Sequence, residues 1–151
     1  MRIITLSAKA RHGKDLTAEI LSEKLKSMGY RVLTIHYSDY LKFISRTYFG
    51  WNGEKDEKGR SLLQYIGTDK MRTADPDFHV DLVIRLLLIF GDDYDFVLIP
   101  DTRFPNEIER PQMYFKCISV HIERLNFEND LTPEQRLHPT ETALDGYKFD
   151  Y

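Results

Sequence analysis

The sequence predicts an α/β protein with a parallel sheet, and three observations lead there. Short apolar runs alternate with amphipathic stretches along the whole chain. The first run, Ile3-Ile4-Thr5-Leu6-Ser7, passes directly into a glycine-lysine loop and then a helical pattern, the order of a strand, a phosphate loop and a helix. A later run, Phe96-Val97-Leu98-Ile99, ends at Asp101, where a buried parallel strand would reach the ligand-binding edge of such a sheet. With no internal repeat or low-complexity linker, the 151 residues read as one domain, 1–151, large enough to bury a core.

Each element follows from local chemistry. Residues 8–15 approach the pattern G-x-x-x-x-G-K-S/T, with Gly13-Lys14 in place, Ala8 in the first glycine slot and Asp15 in the hydroxyl slot. Inward-turned N–H groups at a helix start form an anion cradle, and the Lys14 ammonium adds charge for the outer phosphates. Asp15 offers an oxygen ligand for a hard cation, where a hydroxyl normally sits on Mg²⁺. Leu16, Ile20, Leu21, Leu25 and Met28 then recur at helical spacing, and Gly29 closes that helix at C′. A strand is expected over 31–37, followed by a helix through Leu41 and Ile44 that Ser38-Asp39 would cap.

Residues 49–60, with Gly50, Gly53 and Gly59 among charges, read as a mobile surface loop. Residues 62–72 look helical. Asp75-Pro76 supplies an N-cap with proline at the first helical position, opening a helix over about 77–90 that Gly91 ends. Strands are expected over 94–100 and 117–122. Thr132-Pro133-Glu134-Gln135 is a capping box with proline at N1, and 147–151 read as a strand barely begun.

The formal charge of −3, from 24 acidic and 21 basic side chains mixed along the chain, gives no polycationic footprint, so no nucleic-acid polymer is expected as a partner. Cys117 is the single cysteine, which excludes an internal disulfide and suits a reducing compartment. The strand begins almost at Met1, leaving no room for a signal peptide, and no apolar segment is long enough to span a bilayer. The expectation is a cytoplasmic protein with no membrane partner; homodimerisation is left open. His12, His36, His79, His121 and His138 show no metal-ligand spacing and read as ordinary polar residues, with His12 placed to touch phosphate from within the loop. Tyr37, Tyr40, Phe43, Tyr48, Phe49 and Trp51 read as core and loop packing, with base stacking as the alternative.

Asp101 and Arg103 form a second chemical signal. A carboxylate at the carboxyl end of an apolar strand should face the same crevice as the loop, and Arg103 is a phosphate partner beside it. The plainer alternative is that Asp101 caps the next turn. Asp39, Lys42, Gln64, Thr68 and Arg72 stand near helix ends or loops, where they could hydrogen-bond a nucleobase or sugar or simply be solvated. Arg85 lies in the apolar run 82–90 and either reaches an acceptor phosphate or snorkels to solvent.

Taken together, Ala10-Arg11-His12-Gly13-Lys14-Asp15, Ser38-Asp39 with Lys42, Leu62-Leu63-Gln64-Tyr65-Ile66-Gly67-Thr68, Asp101-Thr102-Arg103-Phe104-Pro105-Asn106-Glu107 and His138-Pro139-Thr140-Glu141-Thr142-Ala143-Leu144-Asp145 resemble the deoxynucleoside monophosphate kinases of phages and bacteria. More distantly the chain is similar to animal-type phosphomevalonate kinase, which shares the Gly-Lys-Asp loop and an Asp-x-Arg after the central strand. Both belong to the nucleoside monophosphate kinase group of P-loop folds, a three-layer architecture around a parallel central sheet.

The resemblance implies ATP and Mg²⁺ as cofactors and small nucleotides as substrates. It implies donor binding by Ala8, Arg11, His12, Gly13, Lys14, Asp15, Leu16 and Arg124, and phosphoryl transfer assisted by Lys14, Asp101, Arg103 and Arg136. Mg²⁺ would fall to Asp15 and Asp101. Asp39, Lys42, Gln64, Thr68, Arg72 and Arg85, within an acceptor segment of about 38–90, would hold a deoxynucleoside monophosphate, and a lid of about 124–138 would close on the donor. The alternatives are a kinase of another phosphorylated metabolite, such as phosphomevalonate, or a catalytically silent nucleotide-binding module.

Overall fold

Four parallel strands form the sheet of the computed structural model, which describes every residue except Lys55 and Asp130. They are β1 (Arg2–Ser7), β2 (Val32–Thr34), β3 (Phe96–Thr102) and β4 (Lys116–His121), in the spatial order β2-β3-β1-β4. The chain leaves β1 toward one edge and β3 toward the other, so β1 lies centrally and the loop after it opens beside the carboxyl end of β3. Ser7 pairs with Thr102 on one side and with His121 on the other, which brings three strand ends level around that loop.

The strands alternate faces. Ile3, Val97 and Ile99 point to one side, where Val80, Val83, Ile84 and Leu87 of α4 (Phe78–Phe90) cover them together with Tyr37. Ile4, Leu6 and Leu98 point to the other, against α1 (Lys14–Ser27). This is the expected α/β class, three layers deep, opening with a strand, a loop and a helix.

The buried face of α1 differs from the expected one. Leu16, Ile20 and Met28 are exposed, whereas Ala18 and Ser22 are buried with Leu21 and Leu25 packed beside Ala18. Positions 18, 21, 22 and 25 make one helical stripe, and its small residues let the helix backbone approach the sheet. The helix ends as expected: Gly29 takes φ 88°, Tyr30 N–H donates to Leu25 O and Gly29 N–H to Lys26 O, a Schellman closure.

After β2, α2 (Asp39–Tyr48) begins without a side-chain cap from Ser38, whose hydroxyl is taken by Asp101. The expected surface loop over 49–60 is anchored: Trp51 is buried, its Nε1 donates to Glu54 O, and the Arg46 guanidinium lies 5.6 Å from its ring centre. Asp56 caps α3 (Glu57–Gln64) through Gly59 N–H. The helix expected over 62–72 is instead the end of α3 followed by a π-helix, Tyr65–Arg72. Gly67 lets α2 approach closely there, since a Cβ on it would stand 2.5 Å from Leu41 Cδ2 and make that side chain shift.

The Asp75-Pro76 pair makes a turn one residue before α4, in which Asp75 Oδ1 accepts Asp77 N–H. Gly91 follows α4 as its C-cap and opens a 3₁₀ turn, Gly91–Asp93. Helix α5 (Asn106–Gln112) joins β3 to β4, and Arg110 ties it to Asp77 and Asp81 at the start of α4. The capping box at Thr132 forms with both reciprocal bonds but opens only α6 (Pro133–Arg136), followed by α7 (Pro139–Thr142). At the end, Tyr151 N–H donates to Ser119 O and its carbonyl accepts from His121 N–H, the pattern of one parallel pairing beside β4. No described helix is long and apolar enough to cross a membrane.

Candidate active site

The loop between β1 and α1 turns through two positive-φ residues, Arg11 (63°) and Gly13 (88°), the second of which lets the N–H groups at the start of α1 face the cleft. Lys14 begins the helix half-buried, lines the cleft and makes no hydrogen bond or ion pair among the described residues. Burial, and next the nearby Arg103 charge, lower its pKa, while Asp15, Asp101 and Glu141 oppose them. Those five groups therefore share one local field. Ala8 is buried beneath the loop, and Leu16, placed in the donor set by resemblance, points into solvent.

Asp101 faces the crevice, but three donors hold its carboxylate. Oδ1 accepts Tyr37 N–H at 3.0 Å, and Oδ2 accepts Ser38 N–H at 3.0 Å and the Ser38 hydroxyl at 2.7 Å. Asp101 thus fixes the turn between β2 and α2. Arg103 reaches the other way: its Nη1 donates to Thr140 O at 3.1 Å and Glu141 Oε1 at 2.6 Å. The second Glu141 oxygen accepts Ala10 N–H from the phosphate loop at 2.9 Å, and Lys9 bonds Glu141 O and the Asp145 carboxylate. The segment 138–145, visible in the sequence only through family resemblance, is a strut between the loop and Arg103.

A cleft of about 320 Å³ runs from Lys14 and Asp15 to α2, the π-helix and α4. Of the expected residues it is lined by Lys14, Asp15, Lys42, Gln64, Thr68, Arg72, Asp101 and Arg103, with Tyr37, Leu41, Leu63 and Phe104 as apolar walls. Its floor holds two residues that sequence reasoning missed, His79 and Glu107. Glu107 is buried and accepts Arg103 N–H at 2.7 Å, Phe104 N–H at 3.1 Å and Arg72 Nη2 at 2.5 Å. Desolvation raises its pKa to about 7 against the pull of Arg72. Arg72 in turn lies 3.8 Å from the centre of the Phe104 ring. Glu107 stood in the quoted Asp101-to-Glu107 motif, whereas His79 had no sequence signal beyond its helix.

Four expected residues lie elsewhere. Arg85 is exposed on α4 and does not line the cleft, so of its two readings the solvent one holds. Asp39 accepts His36 N–H at 2.9 Å and pairs with Lys42 at 3.3 Å, steadying a cleft residue from outside. Arg136 donates to Leu131 O and Asn129 O within its own loop. Arg124 stacks at 4.1 Å on Phe127 while its N–H donates to His12 Nδ1 at 3.1 Å, so the base of the expected lid meets the phosphate loop through His12. Asp130, within that lid, lies outside the described residues.

Among the described residues no group of three or more His, Cys, Asp or Glu side chains is placed to hold a metal. A Mg²⁺ here would draw most of its ligands from phosphate oxygens and water, its usual coordination in phosphoryl-transfer sites. Asp15 fits that duty better than Asp101, because its carboxylate carries no hydrogen bond among the described residues.

No family model and no curated protein sequence matches the chain. Among solved structures it is similar to a cysteine-to-alanine variant of the APS kinase CysC of Mycobacterium tuberculosis, at 12% identity over 96% of this chain and 93% of that one, with a TM-score of 0.49. A similarity of that degree says nothing of substrate.

Proposed function

We propose that the protein transfers the γ-phosphoryl group of ATP to a deoxynucleoside monophosphate, giving the diphosphate and ADP. The observation that carries this reading is one cleft that joins Lys14, half-buried and without a partner among the described residues, at a glycine-turned helix start to an apolar-walled pocket containing Arg72, Gln64 and Thr68. Phosphoryl transfer asks for in-line positioning and charge neutralisation and little covalent chemistry.

In this reading the loop N–H groups and Lys14 hold the donor's outer phosphates. Arg103, fixed by Glu141 and Thr140, carries charge that develops on the transferred group. Asp101 holds the turn at Tyr37 and Ser38 that walls the acceptor, and Lys42 supplies an acceptor-side cation. Mg²⁺, held in part by Asp15, would neutralise charge on the donor phosphates. The segment 124–138, with Arg124 and Arg136, closes over the donor and excludes water.

ATP consumption is measured with each deoxynucleoside, its monophosphate and phosphomevalonate side by side. Turnover confined to the monophosphates is expected. Selective use of phosphomevalonate would keep the mechanism and change the acceptor, and ATP binding without turnover on any acceptor would leave a silent nucleotide-binding module.

A further inference from the structure

His79 sits on the first turn of α4 at the floor of the cleft, 5% exposed, and neither of its ring nitrogens has a hydrogen-bond partner among the described residues. Leaving a buried polar atom unmet costs about 1–3 kcal/mol, and native interiors seldom tolerate it without a reason. Ser45 Oγ is in the same condition but does not line the cleft. The Gly67 carbonyl of the π-helix lies near the ring and raises the His79 pKa as an acceptor would but falls short of hydrogen-bond geometry, so at least one ring nitrogen is left for a ligand.

Several facts define what such a ring can bind. Burial first, and then the Arg72 charge, lower its pKa, opposed by the Gly67 carbonyl and by the charges of Asp101 and Asp75. The lowering favours the neutral imidazole, with one N–H donor and one lone pair. A neutral ring is a poor partner for a phosphate dianion, and Lys14, Lys42 and Arg103 already line the same cleft for that purpose. The apolar walls from Leu41, Leu63 and Phe104 suit a flat ring whose edge carries donors and acceptors.

We infer that His79 reads the nucleobase of the acceptor, its ring nitrogens hydrogen-bonding the polar edge of a base held between the apolar walls of the cleft. This rests on the reading of the cleft as a monophosphate site. A pocket built to hydrogen-bond a substrate rejects one that leaves those groups unpaired, so His79 sets discrimination among bases more than overall affinity.

Two measurements test it. Imidazole nitrogen resonances of the ¹⁵N-labelled full chain are followed while each of the four deoxynucleoside monophosphates, or deoxyribose 5-phosphate as a base-free control, is added. The His79 nitrogens should shift with the preferred monophosphate and stay in place with the control; no shift with any monophosphate overturns the inference. In kinetics, His79→Leu should raise the acceptor KM for the preferred base about tenfold, the loss of one hydrogen bond, narrow the spread among the four bases and leave the KM for ATP unchanged. Partial recovery in His79→Gln or His79→Asn would support a hydrogen-bonding role. An unchanged ranking of bases in folded His79→Leu would overturn it while leaving the kinase reading intact. Turnover of a base-free phosphorylated alcohol alone would overturn both.

Discussion

On the loop side of the cleft, Lys14 and Asp15 stand at a helix start with no ion-pair partner among the described residues, whereas on the floor Arg72 and Glu107 are locked together beneath Phe104. Both sides face one cavity, yet they treat charge in opposite ways. A charge on a turn that solvent can reach is tolerable without a partner and remains ready for an anion. A charge largely withdrawn from solvent must be satisfied within the protein, so Arg72, its side chain 15% exposed, also donates to Pro76 O and Asn106 Oδ1. Groups held by the fold shape the pocket, and groups left unpaired are the ones a ligand completes.

The largest expected effect tests the loop side. Lys14→Ala should lower turnover by about 10²–10³-fold, as removal of a preorganised charge from a phosphoryl-transfer site does. The fold should be unharmed or slightly steadier. Lys14 has a lowered pKa in the folded state, so its charged form is disfavoured by folding, and that cost is removed with the side chain. Turnover assays and thermal unfolding on the same preparation check both halves; near-normal turnover in a folded variant would show that the unpaired lysine is not a ligand site.

The converse holds for the floor. Glu107→Leu should destabilise the protein by about 3–5 kcal/mol, because it leaves Arg72 and the N–H groups of Arg103 and Phe104 buried without their acceptor. Chemical denaturation measures this directly. A loss under about 1 kcal/mol would mean that the floor pair is as dispensable as a surface ion pair.

The same contrast governs what was legible in the sequence. The loop was readable because Gly13, Lys14 and the apolar strand before them are local, and a helix start after a positive-φ glycine needs no distant partner to form. The sheet was readable for a like reason, since the runs at 3–7, 96–99 and 117–122 are short and rich in Ile, Val and Leu. The π-helix was not, because its sequence, Tyr65–Arg72, carries no local signal that separates it from a continuing α-helix. The exposure of Leu16, Ile20 and Met28 on α1 was not legible, because periodicity marks a face without saying which face meets the sheet. Asp101 lines the cleft, but the donors that surround it come from residues 37 and 38, 64 and 63 positions away in sequence, and no spacing rule encodes that closure.

Glu141 is intermediate between the two sides, since it bridges the loop at Ala10 and the arginine at the end of β3. Glu141→Gln keeps its shape and its acceptor for Ala10 N–H but weakens the charge-assisted bond to Arg103. The expected result is a fall in turnover of about tenfold with the KM for ATP changed less than threefold, about what one charge-assisted bond contributes. Equal losses in turnover and ATP affinity would instead make Glu141 part of the donor site.

The floor also predicts a slope in stability with pH. The Glu107 carboxyl is raised in the folded state from 4.5 to about 7 by burial, so between those values the folded protein holds a proton that the unfolded chain has released. Stability that is fully present below pH 4.5 should therefore be lost progressively as pH rises to about 7, and change no further above it. Asp95, Asp150 and Glu134 have lowered pKa values and act in the opposite sense, but only at and below their ordinary range near pH 4, so the two windows barely overlap. Glu107→Gln removes the titrating group while keeping an acceptor for Arg103 N–H. A difference curve of unfolding free energy, wild type minus Glu107→Gln, should fall across pH 5 to 7 and then level, as a single buried carboxyl would produce. A flat difference curve would mean that Arg72 keeps Glu107 ionised throughout, and the floor would then be a fixed ion pair like those on the surface, without the protonation that burial imposes.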